Sequence, residues 1–409
     1  MAGPRTIART RSGTPADGPS LTPEGVDPGR RIVGIDIARG LAILGMFTVH
    51  VQFFGTGGED VGGTAGALLS APGGRASVLF FLLSGVSLSL IAGRGSVSAA
   101  AGVLRRRGFA LLAVGLVLST SLIWSGSILE HYGVMFLLAP WLLPASDRML
   151  TTLGIGGIVL GPVALLILRP FTGDVEGLSD GAIGGVIDIS WSLGVDGLYP
   201  LLVWFGFFAI GMRIGRLDLR SRRVGASLLA VGAAVAIAVP VVVHQIEDAG
   251  MLGTGGGEAS LSGDLTEAEK EQLKSDEDFG LDDFDEAADR DPEQLLDTTE
   301  HSGQTAWALQ ASAIAMAILG AALLLPRRGQ RLLRPIAAVG SISLSAYLIH
   351  IVLVTDVWDY LTVGSDWTVR EQIGILIGLE LALVIICTAI VWRWGSGPAE
   401  RVLRGISRR

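Results

Sequence analysis

Residues 31–54 read Arg31-Ile-Val-Gly-Ile-Asp36-Ile-Ala-Arg39-Gly40-Leu-Ala-Ile-Leu-Gly-Met46-Phe-Thr-Val-His50-Val-Gln-Phe-Phe54. The run is apolar over roughly the 20 residues that a helix needs to cross a hydrocarbon core, yet it carries an aspartate, an arginine and a histidine. Asp36 and Arg39 are three residues apart, neighbours on one helix face. Pairing opposite charges is how a membrane interior tolerates either. His50 follows Arg39 after three turns, on the same stripe and about 16 Å further along the axis. The segment therefore predicts a transmembrane helix with an ionisable stripe running from its cytoplasmic end to its outer end.

The rest of the chain fits that solvent. Half of the 409 residues are hydrophobic and 17% are charged, with mean hydropathy +0.54. That composition is incompatible with a dispersed globule and places the chain in a bilayer. Further apolar stretches lie at 76–93, 108–125, 150–169, 194–212, 224–244, 305–326, 334–355 and 371–392, with a shorter one at 130–145. The expected fold class is all-α, a polytopic membrane protein of about ten transmembrane helices.

Arginine placement sets the expected orientation. With the N-terminus in the cytoplasm, 24 of the 31 basic residues fall inside, six outside (Arg75, Arg169, Lys270, Lys274, Arg290, Arg370) and Arg39 in the membrane. The alternation holds at every loop and predicts both termini cytoplasmic. All five histidines then lie toward the outer face. The chain divides into a disordered cytoplasmic arm (1–31), helices 1–7 (32–244), an acidic extracytoplasmic loop (245–304), helices 8–10 (305–395) and a basic tail (396–409). The arm has no apolar core, so it reads as an arm and not as a signal peptide. The single Cys387 excludes an intrachain disulfide. Arginine outnumbers lysine 29 to 2, a bias of GC-rich bacteria, so a multi-pass protein of a bacterial plasma membrane is expected.

Residues 258–300 hold 17 acidic and three basic residues, which favours a largely disordered loop. Its aspartates suggest calcium, but Gly280 and Leu281 stand where the calcium-loop pattern requires a ligand and a glycine. No metal site is expected.

Helix 9 mirrors helix 1. Ser343, Tyr347 and His350 share a face, and His350 reaches a depth like that of His50, so the two histidines could line one cavity. Arg75, Glu130, His131, Tyr132, Tyr199 and His301 surround this level. His131, Tyr199 and His244 are at least as well explained as interfacial anchors, and Trp358, Trp367, Trp392 and Trp394 as belt residues. Glu380, mid-helix, needs a partner or a proton, and Arg39 is one partner at suitable depth.

The opening Arg31–Met46 resembles that of the heparan-α-glucosaminide N-acetyltransferase-like membrane proteins, including their bacterial members. So do Gly74-Arg75 through Gly85-Val-Ser87, Tyr199-Pro200 through Asp218, His301-Ser302-Gly303, and Arg334-Pro335 through His350. Arg39 and His50, with ten residues between them, also match the R-x10-H signature of the acyltransferase-3 family, which is similar in topology. The resemblance implies transfer of an acyl group, acetyl above all, from acyl-CoA to a hydroxyl or amine of an extracytoplasmic glycan or glycolipid. It implies His50, His301 and His350 as catalytic candidates, and Asp36, Arg39, Arg75, Tyr132, Tyr199 and Tyr347 around the substrates. In the animal heparan enzyme the histidine regarded as catalytic lies in the loop after helix 1. Residues 55–75 here contain none, so His50 or His301 takes that role.

The expected partners are acyl-CoA, the envelope acceptor and membrane lipids, with no nucleic acid, no permanently bound cofactor and an open oligomeric state. His50 would act as general base or as a nucleophile forming an acyl-imidazole. Alternatively Arg39 only ties helices together with Asp36, and its loss unfolds the protein. The competing class is a proton-coupled transporter or lipid flippase, which uses the same intramembrane ionisable residues. A non-catalytic envelope scaffold whose acidic insert binds partners is a third class.

Overall fold

The structure is a computed structural model that describes residues 31–55, 66, 69–92, 97–120, 127–172, 187, 189–249, 292–298, 303–362 and 367–408. His301, the N-terminal arm up to residue 30 and most of the acidic loop, with its calcium reading, lie outside the described residues. Among the described residues the secondary structure is helical throughout.

The main helices are α1 (Val33–Gly55), α2 (Arg75–Ala92), α3 (Val97–Thr120), α4 (Leu129–Leu142), α5 (Asp147–Leu168), α6 (Leu201–Gly215), α7 (Arg222–Asp248) and α8 (Thr305–Leu324). They are followed by α9 (Arg327–Leu332), α10 (Arg334–Ser341), α11 (Ser343–Val352), α12 (Val369–Trp394) and α13 (Pro398–Arg408). Among the described residues six helices are long and apolar enough to cross a membrane, or seven if the pair Ile189–Asp196 and Leu201–Gly215, bent by 69°, forms one span. The chain is thus a polytopic helical membrane protein. Its outer surface carries exposed Phe109, Leu160, Ile237 and Ile385, as expected where the solvent is lipid.

Helix α1 packs against α2, α8, α10, α11 and α12, and Ile37, Ala38, Ile43 and Phe47 on it are fully buried. Small residues set these approaches. A Cβ at Gly340 would run into the Asp36 carbonyl, and one at Gly40 into that of Ile336, so α1 and α10 touch backbone to backbone. Gly85 and Gly211 do the same for α2 and α6. With no hydrophobic drive between helices in lipid, such close contact supplies the packing energy.

All ten expected stretches contain helix, but two of them, and the tail, differ from expectation. The single helix expected at 334–355 is broken. Pro335 sits in the first turn of α10, Ile342 leaves the helical region at φ −123, ψ 46, and Leu353–Trp358 is π-helical. The helix expected from 108 starts at Val97, which takes Arg105, Arg106 and Arg107 out of a loop. The basic tail is a helix, α13, docked on α3 through Arg106 to the Ser407 carbonyl (3.1 Å) and Arg107 to Ser407 Oγ (3.1 Å). Trp358 is a further correction: it is fully buried, whereas Trp367, Trp392 and Trp394 are exposed as belt residues should be.

Candidate functional site

Helix α1 carries His50 and α11 carries His350, and the two side chains meet. His50 Nδ1 and His350 Nε2 are 2.9 Å apart. The rings are inclined by 20° with centroids 5.1 Å apart. So short an N···N separation at that centroid distance puts the rings edge to edge, in hydrogen-bonding and not face-stacking geometry. The other nitrogen of His350, Nδ1, faces the Tyr347 carbonyl.

Partner chemistry fixes the tautomers. A carbonyl only accepts, so His350 Nδ1 holds a proton, and its Nε2 in a neutral ring accepts from His50 Nδ1–H. The lone pair of His50 is thereby assigned to Nε2. His350 is fully buried and His50 half-buried, so one ring is fixed while the other reaches toward the less covered side. Phe47 and Tyr347 flank His350, at 5.9 and 4.9 Å between centroids.

Two further contacts hold α11 in place. The Tyr347 hydroxyl accepts from the Ile128 N–H (3.2 Å) at the start of α4. Glu400 on α13 accepts from the N–H groups of Leu344 (2.8 Å) and Ser345 (3.1 Å), and from Ser345 Oγ (2.5 Å). Ile342 at the cap position supplies no side-chain acceptor, so a carboxylate from elsewhere in the chain satisfies the first-turn donors.

At the other end of the α1 stripe, Arg39 donates to Ser87 Oγ (2.6 Å), the Gly340 carbonyl (3.1 Å) and Asp36 Oδ1 (3.4 Å). It joins α1, α2 and α10. The partner of Glu380 is therefore not Arg39 but Thr48, whose hydroxyl donates to Oε1 at 2.7 Å. Arg75 donates to the Ala71 carbonyl within its own turn (3.2 Å).

Tyr132 and Tyr199 belong to an aromatic cluster around Phe81, with centroid distances of 4.8 and 6.2 Å. Both are buried, as are Glu130 and His131, so for His131 and Tyr199 the anchor reading fails. Only His244 behaves that way, exposed beside Glu247 and Asp248. Trp204 and Trp307, on the same cluster, were not singled out in the sequence because tryptophan in an apolar run looks like any core or belt residue.

The fold and site define a class: a polytopic helical membrane protein with a hydrogen-bonded histidine pair between two of its helices. Residues 32–392 match the family model described as an acyltransferase domain, and the chain belongs to that acyltransferase-3 family. No curated protein and no solved structure matches the chain.

Proposed function

We propose that the protein transfers an acyl group, acetyl in the first instance, from acyl-CoA to a hydroxyl or amine of an extracytoplasmic glycan or glycolipid, with His50 as general base. The observation that carries this reading is the chain from His50 Nδ1 through His350 to the Tyr347 carbonyl. His50 Nε2 takes the proton of the acceptor O–H or N–H as its oxygen or nitrogen attacks the thioester carbonyl carbon. The C–S bond breaks, and the thiolate recovers the proton from His50. The cationic charge on His50 during the reaction is stabilised by the His350 lone pair, while the buried, carbonyl-anchored His350 keeps the ring oriented. His350 is thus a positioning residue, in the role that the third member of a catalytic triad plays.

The resemblance to the heparan-α-glucosaminide N-acetyltransferase-like group supports acetyl-CoA as donor and an amino sugar among the acceptors. Arg106 and Arg107 meet the α13 tail, and Arg216 meets Asp147 at 3.0 Å. These contacts bring together segments assigned to the cytoplasm and support placing them on one side of the membrane, as both termini inside requires.

The test is transfer from radiolabelled acetyl-CoA by the full chain in liposomes containing envelope lipids and glycans. His50→Ala should lower kcat by at least about a hundredfold with unfolding midpoint unchanged, and His350→Gln should lower kcat without raising KM. Equal transfer by wild type and His50→Ala would end the proposal. Absence of transfer over a broad acceptor panel, with proton-linked uptake into the same vesicles, would replace it with a carrier.

A further inference from the structure

The last helix, α13, has its two faces reversed. In water an amphipathic helix buries its apolar residues and shows its polar ones. On α13 the polar face meets the protein: Glu400 bonds the first turn of α11, and the buried Ser407 receives Arg106 and Arg107 of α3. On the opposite face Val402 and Ile406, one turn apart, are 65% and 41% exposed. Exposed Pro398 extends the stripe by another turn. A helix held by its polar side with its apolar side outward borders a medium other than water.

Helix α12 shows which medium that is. It is apolar enough to cross a membrane, exposes Ile377, Leu381 and Ile385 along one stripe, and ends at the exposed belt residues Trp392 and Trp394. Gly395, at φ 69, caps it. Only Gly395, Ser396 and Gly397 separate Trp394 from Pro398, so α13 starts within about 14 Å of the belt. Its apolar stripe continues the lipid-facing surface of α12 at headgroup level.

Charge narrows the occupant further. Residues 393–409 hold five arginines and one glutamate, and that glutamate is engaged by α11. Exposed Arg401 is fixed at the turn: its Nε and Nη2 donate to the Ser396 carbonyl (3.2 and 2.9 Å), and its guanidinium lies 5.6 Å over the Trp394 ring. Its Nη1 has no protein acceptor among the described residues. A cation above a belt tryptophan and beside an apolar stripe matches the layering of a leaflet, where phosphates lie just outside the acyl chains. A second copy of the chain would bring the same arginines against these, so anionic lipid is the better fit.

The polar face carries the consequence inward, because α13 and α11 cap each other. Glu400 accepts from the N–H groups of Leu344 and Ser345, and Ser345 Oγ donates to Glu400 while accepting from the Ala399 N–H of α13 (3.1 Å). Gly397 leaves the room for this exchange, since a Cβ there would strike both side chains. His350 follows on the same helix, α11. We propose that α13 lies in the membrane surface, with Val402 and Ile406 among acyl chains and Arg401 at the phosphates of anionic lipids, and that this seating holds the Glu400 cap on the helix of His350. Its effect on transfer rests on the acyl-transfer reading, but the lipid contact does not.

The test uses the full chain in vesicles of phosphatidylcholine alone and of equal parts phosphatidylcholine and phosphatidylglycerol. A nitroxide on Val402→Cys reports depth through its relaxation by oxygen, which partitions into lipid, and by a water-soluble nickel chelate. Wild type, whose one cysteine, Cys387, is buried, is the blank. In the mixed vesicles oxygen should dominate. The cap is read separately, by hydrogen exchange at Leu344 and Ser345, whose amides have no acceptor within α11. Exchange should be several-fold faster, and kcat lower, in phosphatidylcholine alone, with Glu400→Gln setting the scale of a lost cap at roughly ten-fold. Arg401→Gln should give the phosphatidylcholine values in both lipids, and Arg401→Lys should restore the difference.

A Val402 label relaxed as readily by the chelate as by oxygen would put the stripe in water and overturn the proposal. Spin–spin broadening that disappears on dilution with unlabelled chain would overturn it in favour of a second copy. An embedded label with exchange equal in both lipids would overturn the link to α11. Lipid-dependent exchange with no acyl transfer to any acceptor would sink the acyl-transfer reading and leave the lipid surface standing.

Discussion

Replacing Arg39 by methionine separates a structural role for this arginine from a substrate-binding one. The guanidinium makes three contacts on three helices, to Ser87 Oγ (2.6 Å), the Gly340 carbonyl (3.1 Å) and Asp36 Oδ1 (3.4 Å). The side chains of Arg39 and Asp36 are 17% and 10% exposed, so removing the cation takes a close counter-charge from a nearly buried carboxylate. Breaking a buried pair in this way costs about 3–5 kcal/mol. The long 3.4 Å contact argues for the lower end, and loss of the short bond to Ser87 offsets that, so about 4 kcal/mol is expected. In Arg39→Met with Asp36→Asn both charges are gone. The double variant should recover part of the loss, with a coupling of about 1–2 kcal/mol. Equilibrium unfolding in mixed micelles by SDS titration, followed by tryptophan fluorescence, gives all four corners of the cycle. A wild-type midpoint for Arg39→Met, with acyl transfer abolished, would refute the reasoning and move Arg39 from the scaffold to the substrate.

Two further substitutions, Gly340→Ala with Gly374→Ala as its control and Glu400→Gln, probe how the histidine helices are held. At Gly340 a Cβ meets the Asp36 backbone, which cannot swing aside, so Gly340→Ala should destabilise by about 3 kcal/mol, whereas Gly374→Ala, with open space around it, should be neutral or gain up to about 1 kcal/mol of helix propensity; unfolding midpoints of the pair decide this. Glu400→Gln keeps the shape but removes the charge that caps α11, and should cost about 1–2 kcal/mol with a fall in kcat at constant KM, measured in the liposome transfer assay.

Much of the site's local content was legible in the chain. Asp36 and Arg39 pair because they are one turn apart, and that spacing is visible in the sequence. Tyr347 and His350 share a face for the same reason. The contacts across helices were not legible. Glu380 finds Thr48 and not Arg39 because the side-chain depth of a residue says nothing about which helix faces it. Trp358 is buried because Leu353–Trp358 winds as a π-helix after the break at Ile342, a departure that apolar periodicity does not encode. Glu130 and His131 read as interfacial because they begin a short apolar run. Packing of α4 against α3, with Tyr199 set edge-on to His131, is what buries them.

By itself the sequence determined the solvent, the helical class and the polar stripe of α1. A backbone in lipid must satisfy its own hydrogen bonds, so runs of about 20 apolar residues have little choice but helix, and a charge within them needs a close partner. The tertiary structure alone decided that His50 and His350, 300 residues apart, share one hydrogen bond, and that Glu400 steadies the helix on which His350 sits. Glycine-to-backbone contacts such as Gly340 on Asp36 fix the distance and rotation between helices. In a medium where every helix face is equally welcome to lipid, that steric fit, and not hydrophobicity, selects which faces meet.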